Sequence, residues 1–284
     1  MSLFGGFIKP EVITVKGKLV TIDRPWVMGI INVTPDSFFA GSRSLTAAEA
    51  VKRASAMIEA GADMIDIGGC STRPGSCPPS AEEELERLSE AVGEIRRAFP
   101  EAILSIDTYR ASVAAHCIDR FQADFINDVT GGSDPEMMAT VGERNAGYIL
   151  THSRGNSLTM DSLCDYPGGV VADVTSELAF KVDEARRHGI ANLIVDPGFG
   201  FAKTSEQSYE LLANLDCLRV FDCPILVGIS RKRMAREAAE CDVADSLVPT
   251  VALNAAAMMR GASIIRVHDV REGVLTARTI EKLW

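Results

Sequence analysis

Two short runs, VMGIIN at residues 27–32 and DMIDIGG at residues 63–69, flank the stretch TAAEAVKRASAMIEAG at residues 46–61. The runs are apolar and β-rich. The stretch between them has helical periodicity from about Thr46 to Ala60 and closes on Gly61, a residue suited to a C-cap. Strand, helix, strand in that order is the unit of a parallel sheet, because parallel neighbours need a long crossover. The unit recurs along the chain. A helix with an acidic start is expected from about Ser80 to Ala98, and further β-rich runs stand at Ile103–Ile106, Asp124–Ile126, Tyr148–Leu150, Leu193–Val195, Ile225–Val227 and Ile264–Ile265.

Eight runs alternating with helical sequence predict an α/β fold, a closed (β/α)8 TIM barrel. An open doubly wound sheet is the competing topology. The segment Glu11 to Arg24, with Lys16-Gly17-Lys18 at its middle, reads as an N-terminal β-hairpin capping the barrel bottom. No linker, repeat array or low-complexity tract interrupts the pattern, so residues 1–284 read as a single domain.

Composition agrees with a large globular core: 284 residues, 46% apolar and 24% charged, which excludes a disordered chain, a collagen-like fibre and a small disulfide scaffold. Lys and Arg number 29 against 39 acids, for a net charge of −10. Such a chain is a poor general partner for nucleic acid or an anionic membrane, and an anionic ligand would need a local cluster of cations. No apolar run approaches the roughly 18 residues of a membrane span. The opening MSLFGGFIKPEV lacks a basic leader, so no secretory signal is expected. The seven cysteines are scattered and none forms a CxxC pair. Neither a disulfide framework nor a zinc site is indicated, and reduced thiols in the cytoplasm are the expectation.

In a barrel of this kind the loops after the strands build the active site. The polar groups just after each run are Asn32, Gly68 to Arg73, Asp107, Asn127-Asp128, His152, Asp196, Ser230-Arg231-Lys232 and Arg266 to Asp269. Asp107, Asn127 and Asp196 suit the hydrogen-bonding edge of a flat heterocycle; the alternative is that each merely caps the next helix. Arg73, Arg231, Lys232, Arg266 and His268 suit phosphate or diphosphate; the alternative is inter-loop ion pairing with Asp36 or Asp269. Gly198-Phe199-Gly200-Phe201 either brings Phe201 over a flat ring or leaves it in the core. No GxxxxGK(S/T), HExxH, EF-hand loop or GxSxG occurs, so ATP hydrolysis, zinc proteolysis, calcium sensing and serine hydrolysis lack support.

The motifs NVTPDSF (Asn32 to Phe38), STRPGS (Ser71 to Ser76), SIDT (Ser105 to Thr108), ND (Asn127-Asp128), DPGFGF (Asp196 to Phe201), SRK (Ser230 to Lys232) and RVHDV (Arg266 to Val270) appear in the order of one family. Together they resemble the dihydropteroate synthases. The resemblance implies a folate-pathway barrel that joins 6-hydroxymethyl-7,8-dihydropterin diphosphate to 4-aminobenzoate, releasing pyrophosphate; the easy departure of pyrophosphate and the weakly nucleophilic arylamine lead us to expect a dissociative substitution. It implies that Asp107, Asn127, Asp196 and Lys232 hold the pterin and form the catalytic set. Arg73, Arg266 and His268 would meet the diphosphate, with Asn32 at a Mg²⁺ ion. Thr72, Pro74, Ser230 and Phe38 would contact 4-aminobenzoate or a sulfonamide mimic, while Asp36 falls in the mobile first loop. A homodimer is implied too. The small, apolar segment Val248 to Met259 reads as its face or as ordinary barrel packing.

The chain departs from the family pattern in places. THSRG stands where the family reads close to MHMQG, so Thr151 replaces an apolar residue at the pterin face and Arg154 replaces a glutamine. Cys70 replaces a glutamate, and Arg43 is an added cation in the first loop. Three rival readings remain: a pterin-binding methyltransferase-type barrel, a non-catalytic pterin-binding homologue, and a Schiff-base aldolase using Lys232.

Overall fold

Strands pair in parallel through eight members, in the order β8–β7–β6–β5–β4–β3–β10–β9. These are β3 (Trp26–Asn32), β4 (Met64–Gly68), β5 (Ile103–Asp107), β6 (Phe125–Asp128), β7 (Gly147–Thr151), β8 (Leu193–Asp196), β9 (Leu226–Val227) and β10 (Ile264–Val267). A parallel bridge between Val195 and Ile225 joins the two ends of this order, so the sheet rolls into a barrel and is not an open doubly wound sheet. The computed structural model describes residues 10–33, 46–70 and 78–283.

Helices α1 (Ala47–Ala60), α2 (Ala81–Ala98), α3 (Ala111–Phe121), α4 (Met137–Glu143), α5 (Val170–Arg187), α6 (Ser205–Ala213), α7 (Arg233–Ala238), α8 (Leu247–Met259) and α9 (Val270–Glu281) follow the strands. Local chemistry fixes their ends. Thr46, Ser80 and Thr204 each close a capping box at the start of α1, α2 and α6. Gly61 ends α1 at φ 101, a left-handed conformation that an L side chain would strain. A continuous apolar layer, including Leu88, Ile95, Ile106, Leu150, Leu178 and Val195, fills the space between strands and helices.

The N-terminal hairpin, β1 (Glu11–Val15) and β2 (Lys18–Ile22), is antiparallel. Its Ile13, Val15 and Ile22 enter the barrel end lined by Trp26, Met28, Met64, Phe125, Ile149, Ile194, Leu226 and Ile264. Asn192 fastens it, accepting from Thr14 N at 2.8 Å and donating to Thr14 O at 2.7 Å. The hairpin therefore plugs the barrel bottom and leaves the carboxyl ends of the strands as the only mouth among the described residues.

Candidate active site

The polar network inside the barrel begins with a contact between strands that are not neighbours. Arg266 on β10 donates through Nε to Asp66 Oδ2 at 2.6 Å, and through Nη2 to Asp107 Oδ2 on β5 at 2.7 Å. Two strands, β3 and β4, lie between β10 and β5 in the sheet, so these side chains meet across the lumen. Asn127 on β6 joins them, its Nδ2 donating to Asp66 Oδ2 at 3.0 Å. Gly68 makes room for the convergence: a Cβ there would lie 3.3 Å from Asp107 Cβ and 3.5 Å from Asn32 Oδ1. Asp107, Asn127 and Asp196 are buried at the strand ends, so none of them serves as an exposed helix cap.

What this network leaves unpaired defines its chemistry. Asp66 Oδ1, Ser105 Oγ, Asn127 Oδ1 and Thr151 Oγ1 are buried without a hydrogen-bond partner. A buried polar atom with no partner costs about 1–3 kcal/mol, so a cluster of four in one lumen marks where a ligand supplies the missing bonds. The set holds oxygen acceptors for ring N–H and amino groups, and two hydroxyls that either give or take.

Burial also shifts the charges. Removal from water pushes the Asp107 carboxyl up to about 7 against the pull of Arg266, and it likewise raises Asp196. The Lys232 ammonium is lowered to about 8 by burial, although Asp196 opposes this. Burial works against the Arg266 charge too, but Asp66 and Asp107 more than offset it. Perturbed groups gathered at one mouth are the electrostatic signature of a working site.

Around the rim, Lys232 Nζ donates to Phe199 O at 2.5 Å and sits 4.5 Å from the centre of the Phe201 ring. Asp196 Oδ1 accepts from Gly198 N at 2.7 Å. Ser230 Oγ lies 3.0 Å from His268 Nδ1, which brings these two expected substrate contacts together. Asp36, Phe38, Arg43, Thr72, Arg73 and Pro74 lie outside the described residues.

Three strand-end groups taken from the sequence as ligand-directed are engaged otherwise. Asp128 points away from its neighbour Asn127; it accepts from Thr130 N, Thr130 Oγ1, Gly132 N and Tyr148 OH at 2.8, 2.7, 3.0 and 2.7 Å. Arg231 forms a two-pronged pair with Asp269 at 2.9 and 2.7 Å, the inter-loop alternative, and does not join the rim cations. His152 meets Glu177 and Lys203 at 3.0 and 2.9 Å. Arg154, the departure in THSRG, pairs with Glu177 and lies 4.0 Å over the Tyr166 ring.

Sequence reading passed over Asp66 and Lys203. Asp66 carried a signal: a carboxylate in the middle of a strand that is otherwise apolar, two residues from a glycine. Lys203 carried none, because its role rests on His152 from another loop as well as on carbonyls of its own.

Fold and site define a (β/α)8 barrel whose mouth is built for a flat, hydrogen-bonding heterocycle with cations at its edge. Residues 28–268 match the model of the pterin binding enzyme family. The dihydropteroate synthase of Escherichia coli strain K12 is 39% identical over 268 residues, covering 94% of both chains. A probable bifunctional folylpolyglutamate synthase/dihydropteroate synthase of Haloferax volcanii is 44% identical over 89% of this chain, which spans only 30% of that longer protein. The structure of Xanthomonas albilineans dihydropteroate synthase with 4-aminobenzoic acid superposes with a TM-score of 0.88 at 34% identity, covering 97% of this chain and 98% of that one. The chain belongs to the pterin-binding enzyme family and, with these relatives, to its dihydropteroate synthases.

Proposed function

We propose that this chain condenses 6-hydroxymethyl-7,8-dihydropterin diphosphate with 4-aminobenzoate to give 7,8-dihydropteroate and pyrophosphate. The observation that carries this reading is the group of unpaired atoms in the lumen, Asp66 Oδ1, Ser105 Oγ, Asn127 Oδ1 and Thr151 Oγ1, beside the carboxylates of Asp107 and Asp196. A pterin offers a ring edge with matching donors and acceptors. A ligand without that edge leaves the same groups unpaired, which is how such a pocket rejects it.

In the reaction the C–O bond to the diphosphate breaks and its electron pair leaves with pyrophosphate. The amine nitrogen of 4-aminobenzoate then bonds to the methylene and gives up a proton. Because an arylamine is a weak nucleophile, C–O cleavage runs well ahead of attack. Asp107 and Asp196 oppose the positive charge that spreads from the methylene into the ring. Lys232 orients the heterocycle from the rim. Phe201 and Ser230 face the second substrate, with His268 beside the departing phosphates. The resemblance also places Phe38, Thr72 and Pro74 against that substrate, Arg73 at the diphosphate and Asp36 in the first loop.

Asn32 presents a hard amide oxygen beside Asp107, and no group of three or more His, Cys, Asp or Glu suited to a metal occurs among the described residues. A single protein oxygen supplemented by phosphate and water oxygens suits Mg²⁺, which keeps several waters and rarely takes an all-protein cage. When bound, Mg²⁺ would neutralise charge on the leaving diphosphate.

Two further readings concern the setting. A homodimer through α8 is supported by exposed Val248 (76%) and Met259 (38%) along one side of that helix; sedimentation should give a dimer that Val248→Asp dissociates. A cytoplasmic setting is supported by the free thiols of Cys117, Cys164, Cys217, Cys223 and Cys241. No helix among the described residues is long and apolar enough to cross a membrane. The functional test is a pyrophosphate-release assay with pterin diphosphate, 4-aminobenzoate and Mg²⁺, each left out in turn. Release that needs all three supports the reading; release indifferent to 4-aminobenzoate contradicts it.

A further inference from the structure

The connection from β8 to α6 is held largely by side chains that the reaction above does not use. Lys203 is only 1% exposed, yet its ammonium touches three neutral acceptors: His152 Nδ1 at 2.9 Å, Gly198 O at 3.1 Å and Phe201 O at 3.0 Å. Burial lowers this group to about 7 against the pull of Asp196; in its charged form it has three N–H bonds, and all are used. His152 must then offer a lone pair at Nδ1, and its Nε2–H donates to Glu177 Oε2 at 3.0 Å. Burial and the Lys203 charge hold this imidazole neutral, its value lowered to about 3.

The same connection is gripped at two more points. Tyr166 OH donates to Ala202 O at 2.9 Å, and Lys232 Nζ donates to Phe199 O. The carbonyls of residues 198, 199, 201 and 202 are thus each held by a side chain. The backbone needs the restraint, because Gly198, Gly200 and Ala202 are left-handed at φ 71, 76 and 49, the last without the freedom of glycine. Gly198 also passes so close to His152 O that a Cβ would overlap it. What this bracing delivers is the Phe201 ring, partly exposed at the mouth and set against the Lys232 ammonium.

We propose that Lys203, backed by His152 and Glu177, is a positioning residue that sets the Gly198–Phe201 loop so that Phe201 faces the arylamine. The inference rests on the function proposed above. A buried ammonium is an expensive way to fill space, since an apolar side chain of similar volume carries no desolvation penalty. Three directed N–H bonds, two on carbonyls of one loop and one on His152, are what the ammonium provides and an apolar residue cannot.

The test is a double-mutant cycle on the full chain. Lys203→Met should raise KM for 4-aminobenzoate about tenfold, with kcat and KM for pterin diphosphate within about threefold of wild type. Tyr166→Phe, which deletes one hydroxyl and unpairs no charge, should move the same KM in the same direction by about twofold. In a Phe201→Ala background, Lys203→Met should add nothing further. A Lys203→Met protein that loses kcat and both KM values together, or that shows its full effect without Phe201, overturns the proposal. If the wild type releases no pyrophosphate, the functional reading has failed by itself. Hydrogen exchange across residues 198–203 then decides the loop claim: faster exchange in Lys203→Met upholds it, and unchanged exchange overturns it.

Discussion

Below the middle of the barrel, Met64, Phe125, Ile149, Ile194 and Ile264 close on the hairpin side chains Ile13, Val15 and Ile22. Two residues further along the same five strands stand Asp66, Asn127, Thr151, Asp196 and Arg266. Side chains in a strand alternate between faces, so a step of two returns to the lumen about 7 Å higher. One rung is apolar and closely packed. The next is polar, charged and short of partners. The lower half stabilises the fold at no chemical gain, and the upper half holds unpaired atoms that a ligand must complete.

Breaking the upper half should cost activity far more than stability. Asp107→Ala is expected to lower kcat/KM for pterin diphosphate roughly 10⁴-fold, the scale seen when a pocket and its ligand lose a matched polar contact. Its melting temperature should move little, because the carboxylate that is lost was itself destabilised by burial. Breaking the lower rung should do the reverse. Ile149→Ala is expected to cost about 2–5 kcal/mol in urea unfolding, with both KM values unchanged.

The pH dependence sharpens the comparison, because it belongs to the upper half alone. Asp107 titrates near 7 and must be ionised to oppose positive charge on the ring, so kcat/KM should fall as pH drops below about 7. Lys232 titrates near 8 and loses its charge above that value, so kcat/KM should also fall on the alkaline side. Stability carries a matching sign. The folded Asp107 holds its proton to a higher pH than the unfolded chain does. Between its ordinary value of 3.8 and about 7 its contribution to stability therefore falls as pH rises, and Asp107→Asn should remove that fall.

The smallest effect is the most specific. Thr151→Val replaces an unpaired buried hydroxyl with a methyl group, so the free protein should become more stable, by under about 1 kcal/mol, while pterin binding weakens a few-fold. Thermal melts with and without pterin would show both signs in one experiment.

Most of the barrel was legible because each strand is a buried apolar run and each helix keeps its period. The strand ends were read one or two residues short: Ile106 for Asp107, Ile126 for Asp128, Val195 for Asp196 and Ile265 for Val267. An apolar criterion stops where polar strand-end residues begin, although the parallel ladder continues through them. Asp107, Asn127 and Asp196 were singled out by position, and the structure buries all three at the strand ends. Alternation separates Asn127 from Asp128, since adjacent residues face opposite sides of a strand, yet only the structure shows Asp128 filled by Thr130, Gly132 and Tyr148. The Arg231–Asp269 pair was one of two readings open in the sequence, whereas the link from Lys203 to His152 joins loops far apart in the chain and no local pattern announces it.

The central claim is that the unpaired upper rung recognises the pterin edge. Calorimetric titration of 6-hydroxymethylpterin into the wild type and into Asn127→Ala tests it most directly. The claim requires at least about a 100-fold loss of affinity in the variant, with its melting temperature nearly unchanged. An Asn127→Ala protein that binds the pterin as tightly as the wild type would contradict it.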